Sequence, residues 1–404
     1  MGKAKKRAGS ARRSREVSRE QACTVADLPA LESLRDVPTF EDMGADAVQA
    51  AAFEVWVADA ARRDEQTASE MHLGVVVRLD RGFPLVACAD QTLRAEHAVG
   101  FAKARSDEQV LLPAVGDRVI VRISAGHDMG VIEHVLPRHS SFERWRGKKR
   151  GERQVLAANI DAILVVQALG SVRDTLELVC DRIARSMVLA LDCGVDPVIV
   201  LTKADRCDDV ELERVVRAVR QLVGPQVRVL VTSSVAGQGV DEVRACVPAG
   251  SCAMILGESG AGKSTLLNAL LGHEALETGD VRERDDAGRH TTVARVMLSL
   301  GHDAGVIADA PGLRSLPLVG HERGLAKMFP EIVEAARACR FNDCTHTHEP
   351  GCAVCEGVEE GAIERIRLDE FLSLAREMRV SAQSLDPDIH LGQSATSVGA
   401  HVHS

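Results

Sequence analysis

The spacing of apolar positions changes texture along the chain, and each change marks a different kind of structure. Residues 1 to about 70 lack strong periodicity, apart from an Ala-rich stretch from Ala45 to Arg63 that predicts a helix. From His72 to about Val135 the pattern becomes a series of short β-type runs: Gly74 to Leu79, Leu85 to Cys88, Arg118 to Ile123 and Gly130 to Val135. Gly, Pro and Asp break these runs, which predicts a small barrel. From Asn159 onward, apolar runs (Ala162 to Ala168, Pro197 to Leu201, Val227 to Val231, Cys252 to Leu256, Val306 to Ala308) alternate with helical stretches (Thr175 to Ala190, Val210 to Val223, Val240 to Cys246). That alternation predicts βα units around a mostly parallel sheet. A helix-rich piece follows, and beyond about Val380 a polar tail rich in Ser, His and Gly reads as disordered.

With 404 residues, at roughly 100 to 200 per domain, the chain has room for about two to four domains. The segment Pro113-Ala-Val-Gly-Asp-Arg-Val-Ile-Val121 is similar to the turn and strand of many OB-type barrels. Aromatic residues make up only 2% and Tyr is absent, so any RNA contact leans on phosphates and shape rather than on stacked bases. A formal charge of -10 argues against indiscriminate coating of nucleic acid. Local basic segments override that field. Residues 1 to 20 carry eight basic side chains (Lys3, Lys5, Lys6, Arg7, Arg12, Arg13, Arg15, Arg19), a disordered arm that either touches RNA or is simply solvated. The strip Arg144-Trp-Arg-Gly-Lys-Lys-Arg150 with Arg153 is likewise either a connector or a phosphate-contacting surface. No apolar run of signal-peptide length follows the arm, and none approaches the ~18 residues of a membrane span. Eleven Cys without a secretory signal suggest a reducing cytosol, hence a cytoplasmic protein.

The chemistry is concentrated in a few motifs. Gly257-Glu-Ser-Gly-Ala-Gly-Lys-Ser264 fits G-x-x-x-x-G-K-[ST] between a strand-like run and a helix, the context a P-loop requires. There, backbone N–H groups of Gly257, Glu258, Ser259, Gly260, Ala261 and Gly262 curl around phosphates, Lys263 reaches the β and γ oxygens, and Ser264 offers Mg²⁺ a hydroxyl, with Thr265 following. Asp309-Ala-Pro-Gly312 suits the acidic Mg²⁺ partner and the glycine that senses the γ-phosphate. Between them lies Gly288-Arg-His-Thr-Thr292, in which Thr291 or Thr292 can close on Mg²⁺. Thr202-Lys203-Ala-Asp205 matches [NT]-K-x-D, whose carboxylate takes paired hydrogen bonds from N1–H and N2–H₂ of guanine; adenine lacks that donor pair. Ser233 and Ser234 of Thr232-Ser-Ser234 suit a backbone contact to guanine O6, although short Ser/Thr runs are also common loop caps. The motifs therefore indicate a GTP hydrolase in which base recognition precedes the P-loop. A parallel sheet tolerates such a circular permutation provided each strand keeps its neighbours.

Four Cys crowd between 339 and 355, which asks for a metal. Cys339, Cys344, His346 and Cys352 offer three thiolates and an imidazole suited to tetrahedral Zn²⁺, while spacing alone also allows Cys355 in place of His346.

With Ala157-Ala-Asn-Ile-Asp161 and Cys339-Arg-Phe-Asn-Asp-Cys-Thr-His346 added to these motifs, the chain from about His72 to about Arg379 resembles the circularly permuted ribosome small subunit-dependent GTPase A family, RsgA. It departs from the family in its long N-terminal extension, its polar tail, and Ala310 where Thr is more usual. The resemblance favours His346 and Cys352 as ligands. It implies a multi-domain α/β protein: an OB-type β-barrel (71–142), a basic linker (143–156), a circularly permuted P-loop GTPase domain (157–322) and a helical zinc-binding domain (323–380), flanked by an extension (1–70) and a disordered tail (381–404). It also implies one Zn²⁺ per chain, Mg²⁺ with GTP, and a monomer that binds the small ribosomal subunit and its rRNA, not membrane, and is stimulated by that subunit late in its maturation. Where Ras-like GTPases place a water-orienting Gln after Asp-x-x-Gly, this chain has Leu313. The nearest polar candidate is His290, which completes a catalytic set with Lys263 and Thr292, unless it is a solvent-exposed bystander.

Overall fold

The computed structural model describes residues 28–80, 83–98, 112–146, 152–171, 174–276, 295–309 and 318–385. Five strands make the barrel: β1 (Met71–Asp80), β2 (Phe83–Cys88), β3 (Thr92–His97), β4 (Arg118–Arg122) and β5 (Gly130–Val135). They run in the order β1-β2-β3-β5-β4, and β4 closes on β1 from Met71↔Arg122 to Val75↔Arg118. The β3–β5 pairing is parallel and the others antiparallel, the topology of a closed OB-type barrel. Val76, Val86, Leu93, Ala95, Val119, Val121 and Ile132 fill its interior. Gly74 is required by close packing, since a Cβ there would stand 2.4 Å from Val86 Cγ1. Strand β3 has no counterpart among the runs read from sequence. Arg94 interrupts its apolar pattern, yet that guanidinium is buried and donates to the buried Asp80 at 2.6 Å.

The stretch 143–156, read from sequence as a basic linker, is not a free connector. Strands β6 (Ser141–Arg146) and β7 (Glu152–Ala158) pair antiparallel from Ser141↔Ala158 to Arg146↔Glu152, and Phe142, Leu156 and Ala157 anchor this ribbon in the main core. Its density of charge hid the alternation. The residues before the barrel are also structural. The helix Ala47–Arg63, capped by Asp46, lays Trp56 over the His134 ring at 6.5 Å, and buried Arg118 donates to the carbonyls of Met43 and Gly44, each at 2.8 Å.

Parallel strands β8 (Ala162–Ala168), β9 (Asp196–Thr202), β10 (Arg228–Val231), β11 (Cys252–Leu256) and β13 (Val306–Asp309) form the second part in the order β10-β9-β8-β11-β13. An antiparallel strand, β12 (Arg295–Ser299), follows β13 and in turn pairs with β1 through Arg78↔Val296 and Leu79↔Arg295, so barrel and α/β part share one eleven-stranded sheet. Period-two alternation divides the strand side chains between the faces. Ile163, Ile199, Met254 and Ala308 pack under the helices Leu176–Asp192 and Asp209–Val223; Leu164, Val200, Ile255 and Ile307 pack under Lys263–Leu271. The C-terminal helices (Glu322–Met328, Pro330–Ala336, Ala353–Glu359 and Arg365–Leu385) dock on the first of these faces. Gly324 comes so close to the helix Leu176–Asp192 that a Cβ would stand 2.1 Å from Val188 O. Arg367 ties the docking together by donating to Met328 O, to Glu331 and to Leu222 O. No helix among the described residues is long and apolar enough to cross a membrane.

At the junction of these parts sits Asn159, fully buried and left-handed at φ 56°. Its Nδ2 donates to Gly116 O at 2.9 Å, and its Oδ1 accepts from His139 N at 3.1 Å and Gln49 Nε2 at 3.2 Å. Asn tolerates this backbone region better than other non-glycine residues. Asn159→Ala removes all three bonds, although Gly116 O keeps its bond from Arg118 and Gln49 keeps Pro137 O, so it is expected to destabilise the protein by on the order of 1–3 kcal/mol, measured as a drop in the urea midpoint.

Candidate functional site

The C-terminal ends of β9, β10, β11 and β13 lie along one edge of the sheet, with β8 between β9 and β11, where an open α/β sheet gathers its ligand-binding loops. Thr202 ends β9, Ser233 and Ser234 follow β10, Gly257 to Ser264 follow β11, and Asp309 ends β13 beside Ile255 in parallel register. The apolar strands Cys252–Leu256 and Val306–Asp309 are buried throughout, which brings the phosphate loop and Asp309 to one edge.

Within the loop, Ala261 N donates to Glu258 O at 3.2 Å, and the Lys263 ammonium donates to the carbonyls of Gly257 (2.6 Å) and Glu258 (2.7 Å). A side chain at Gly257 would meet Val166 O at 2.4 Å, so only glycine lets the turn leave the sheet here. Gly262, at φ 90°, leads into the helix Lys263–Leu271, directing that helix's first N–H groups toward the loop. Ser264 lies in the first turn and Thr265 on its exposed side; Ser259 and Gly260 form the exposed crest.

The segment Thr202 to Asp205 is bonded directly to this loop. Thr202 Oγ1, buried, donates to Ala261 O at 2.6 Å, and Lys203, left-handed at φ 60°, donates from Nζ to Gly260 O at 2.6 Å. Burial and neighbouring Arg206 hold the Lys203 ammonium below its ordinary pKa. A 3₁₀ turn, Ala204–Arg206, then presents Asp205. Its Oδ1 accepts from Ser233 Oγ at 2.6 Å, a bond that holds the carboxyl below the usual carboxylate range and so keeps it ionised as an acceptor. Ser233 is itself pinned, exchanging backbone bonds with Gln238 at 3.0 Å in each direction.

Sequence reasoning missed Arg182. From the helix Leu176–Asp192 it reaches Glu258 of the phosphate loop at 2.8 Å and Asp174 at 3.0 Å. No local signal marks it, because its partner lies in a distant part of the chain. Asp161 is a second link: its carboxylate accepts from Cys252 N at 2.8 Å at the foot of β11. His290, Thr291, Thr292 and Gly312 lie outside the described residues.

Away from the sheet edge, Cys339, Cys344, His346 and Cys352 converge, with one ligand atom from each all within 4.8 Å of one another. Cys339 Sγ lies 3.9 Å from Cys352 Sγ, and His346 Nδ1 lies 3.6 and 3.5 Å from those sulfurs. A tetrahedron with Zn–S of about 2.3 Å and Zn–N of about 2.0 Å has edges of about 3.8 Å between sulfurs and about 3.6 Å from sulfur to nitrogen, so the donor set fits zinc in composition and size. His346, Cys344 and Cys352 are buried, and His346 reaches the cluster from a left-handed backbone at φ 59°. Cys355, the rival in sequence, is outside the set; its N–H instead donates to Cys352 Sγ at 3.4 Å, fixing that sulfur at the head of the helix Ala353–Glu359.

Together, the segment Thr202 to Asp205 ahead of the phosphate loop, the closed barrel and the Cys/His cluster define a circularly permuted P-loop GTPase with an OB-type barrel. Comparison with known proteins agrees. A model of the RsgA GTPase matches residues 135–319. The chain is 42% identical over 305 residues to the small ribosomal subunit biogenesis GTPase RsgA of Streptomyces coelicolor, covering 75% of this chain and 80% of that protein. To the protein of the same name from Methanosarcina acetivorans it is 38% identical over 279 residues, 69% of this chain and 73% of that one. Among solved structures, YjeQ from Thermotoga maritima aligns with a TM-score of 0.58 at 25% identity, over 76% of this chain and 99% of that one. YloQ, described as a circularly permuted GTPase, shares the fold with a TM-score of 0.54 at 22% identity, over 77% and 96%. The chain belongs to the RsgA GTPase family.

Proposed function

We propose that this protein hydrolyses GTP during late maturation of the small ribosomal subunit, as a cytoplasmic monomer that binds the subunit and its rRNA and is stimulated by it. The observation that carries the nucleotide assignment is the direct bonding of the base-reading loop to the phosphate loop through Thr202 and Lys203, which sets guanine and phosphate recognition at a fixed separation. The ribosomal assignment is supported by the relatives named above, which this chain matches over most of its length. In this reading Thr202, Lys203, Asp205, Ser233 and Ser234 hold the base, and Gly257 to Thr265 with Gly312 hold the phosphates. Ser264, Thr291, Thr292 and Asp309 hold Mg²⁺, which when bound neutralises phosphate charge. Turnover measured with and without purified small subunits tests the whole: stimulation by orders of magnitude is expected on the scale of other assisted GTPases, and an unchanged rate would refute it.

Asp205 accepts from two guanine donors, so ATP should not compete with GTP or GDP for the site. Asp205→Asn is expected to weaken guanine nucleotides by about tenfold or more and to shift preference toward xanthine nucleotides in a competition assay.

Cys339, Cys344, His346 and Cys352 would hold one Zn²⁺ per chain as a closed structural site. Elemental analysis after dialysis should find one zinc equivalent in the wild type and none in Cys344→Ala. Cys355→Ala should keep its metal, and loss of metal from that variant with retention in His346→Ala would reverse the ligand choice.

His290 would orient the attacking water, since Leu313 can neither donate nor accept a hydrogen bond. His290→Ala should lose about 10²-fold or more of the subunit-stimulated rate while GTP affinity and the slow intrinsic rate stay nearly constant. Equal stimulation of mutant and wild type would leave the water to backbone or rRNA.

A further inference from the structure

The segment that contains the first helices bridges the barrel and the GTPase part, which also share the main core and the Asn159–Gly116 bond and pair along one short seam. Strand β1 joins β12 through two register pairs, Arg78↔Val296 and Leu79↔Arg295. Residues 28–44 run across this seam. At one end Pro29 O accepts from Arg94 of the barrel at 3.2 Å; at the other, Met43 O and Gly44 O accept from Arg118 of the barrel at 2.8 Å. Between these anchors Leu34, Val37 and Phe40 pack on the main core.

Midway sits Asp36, left-handed at φ 54°, with two bonds to the GTPase part. Its carbonyl accepts from Ser299 N at 2.8 Å, at the far end of β12. Its Oδ2 lies 2.9 Å from His273 Nε2, and His273 Nδ1 lies 3.1 Å from Leu271 O. Both ring neighbours are acceptors, and which of them takes the ring N–H is set by the tautomer. His273 stands just past the end of the phosphate-loop helix, Lys263–Leu271, and Ser299 ends the strand that pairs with Asp309 through Val296. One residue thus fixes the distance between the helix behind the P-loop and the strand beside Asp309. In sequence, the chain between His273 and Ser299 carries Gly288-Arg-His-Thr-Thr292.

We propose that residues 28–44 are a staple that transmits the position of the barrel to the nucleotide site, with Asp36 as a positioning residue for subunit-stimulated GTP hydrolysis. The proposal rests on the ribosomal reading above. A barrel seated on the subunit pulls on Pro29, Met43 and Gly44; the staple carries that displacement to His273 and Ser299. Asp36 belongs to none of the motifs assigned to nucleotide or metal, and acts through these two residues. An ordinary structural contact would instead change fold stability and every rate together.

The test compares full-length wild type with Asp36→Ala, Asp36→Asn, His273→Ala and the Asp36→Ala/His273→Ala pair, measuring intrinsic kcat, subunit-stimulated kcat, GDP affinity and thermal midpoint. Asp36→Ala is expected to keep intrinsic kcat and GDP affinity while losing about tenfold of the stimulated kcat, a coupling of ordinary allosteric size. Asp36→Asn should restore it, because Asn tolerates the left-handed backbone and its Oδ1 still accepts from His273. His273→Ala should reproduce the loss, and the double variant should lose no more than either single one. His273 is partly exposed, so its variant carries the test even if Asp36→Ala fails to fold. Normal stimulation in His273→Ala, or a loss in which intrinsic kcat, affinity and midpoint fall in proportion, would overturn the staple. A wild type that subunits do not stimulate would overturn the ribosomal reading and the staple with it.

Discussion

The molecule is organised around one buried amide. Asn159 stands where the chain leaves the ribbon and enters β8, and its side chain bonds the barrel through Gly116, the preceding helix through Gln49, and the approach to the ribbon through His139 N. A buried polar group that loses a partner costs about 1–3 kcal/mol, and this single side chain supplies one bond to each of the three elements. Gly116 adds a steric condition: a Cβ there would stand 2.1 Å from Ala158 O, so barrel and ribbon approach only because that position is glycine. With this point set, β8 starts in register with β11, and Asp161 confirms the register by accepting from Cys252 N.

The permutation is best understood from what the sheet conserves. Strands β8, β9, β11 and β13 need parallel neighbours and loops at one edge, and they have both although the base-reading loop comes first in the chain. Cutting the chain elsewhere leaves a free end past β13, and the C-terminal helices occupy it. Their docking is specific. His321 Nδ1 lies 2.9 Å from Asp192 Oδ2, Gly324 N donates to Asp192 Oδ1 at 3.1 Å, and Arg367 spans three elements. The helices that flank the metal-ligand loop therefore dock beside Leu176–Asp192, the helix whose Arg182 reaches the phosphate loop.

How much of this could be read beforehand follows from the range of the interactions. Runs such as Ala162–Ala168 and Cys252–Leu256 appear in the structure with the bounds their apolar patterns suggested, because a strand buried on both faces needs an unbroken apolar run. The phosphate and base loops were legible for a related reason: each is a contiguous segment whose backbone shape is dictated by its own residues. Strand β3 was hidden by Arg94, whose charge is cancelled by Asp80 from another strand, and β12 is short and only partly buried. Arg182 and the seam residues were invisible since their partners are far away in sequence, and Asn159, which stood out within Ala157–Asp161, gave no sign of the distant groups it bonds. The zinc ligands fall between these cases. Spacing offered two sets, and only the fold shows which four ligand atoms, those of Cys339, Cys344, His346 and Cys352, come within 4.8 Å of one another.

The sheet that unites barrel and GTPase also imposes an order on synthesis. Strand β1 ends at Asp80, but its partner on the far side, β12, begins at Arg295, so more than half of the chain must be made between them. Contacts of such separation form late, since loop closure must precede any gain from pairing. The barrel, complete by Val135, can close early in translation and cover its own strands, all but the stretch Arg78 to Leu79 that waits for β12. The nascent protein thus passes through a stage with the base-reading loop already made and no Asp309 to meet it, and the nucleotide site matures only when nearly the whole sheet has left the ribosome.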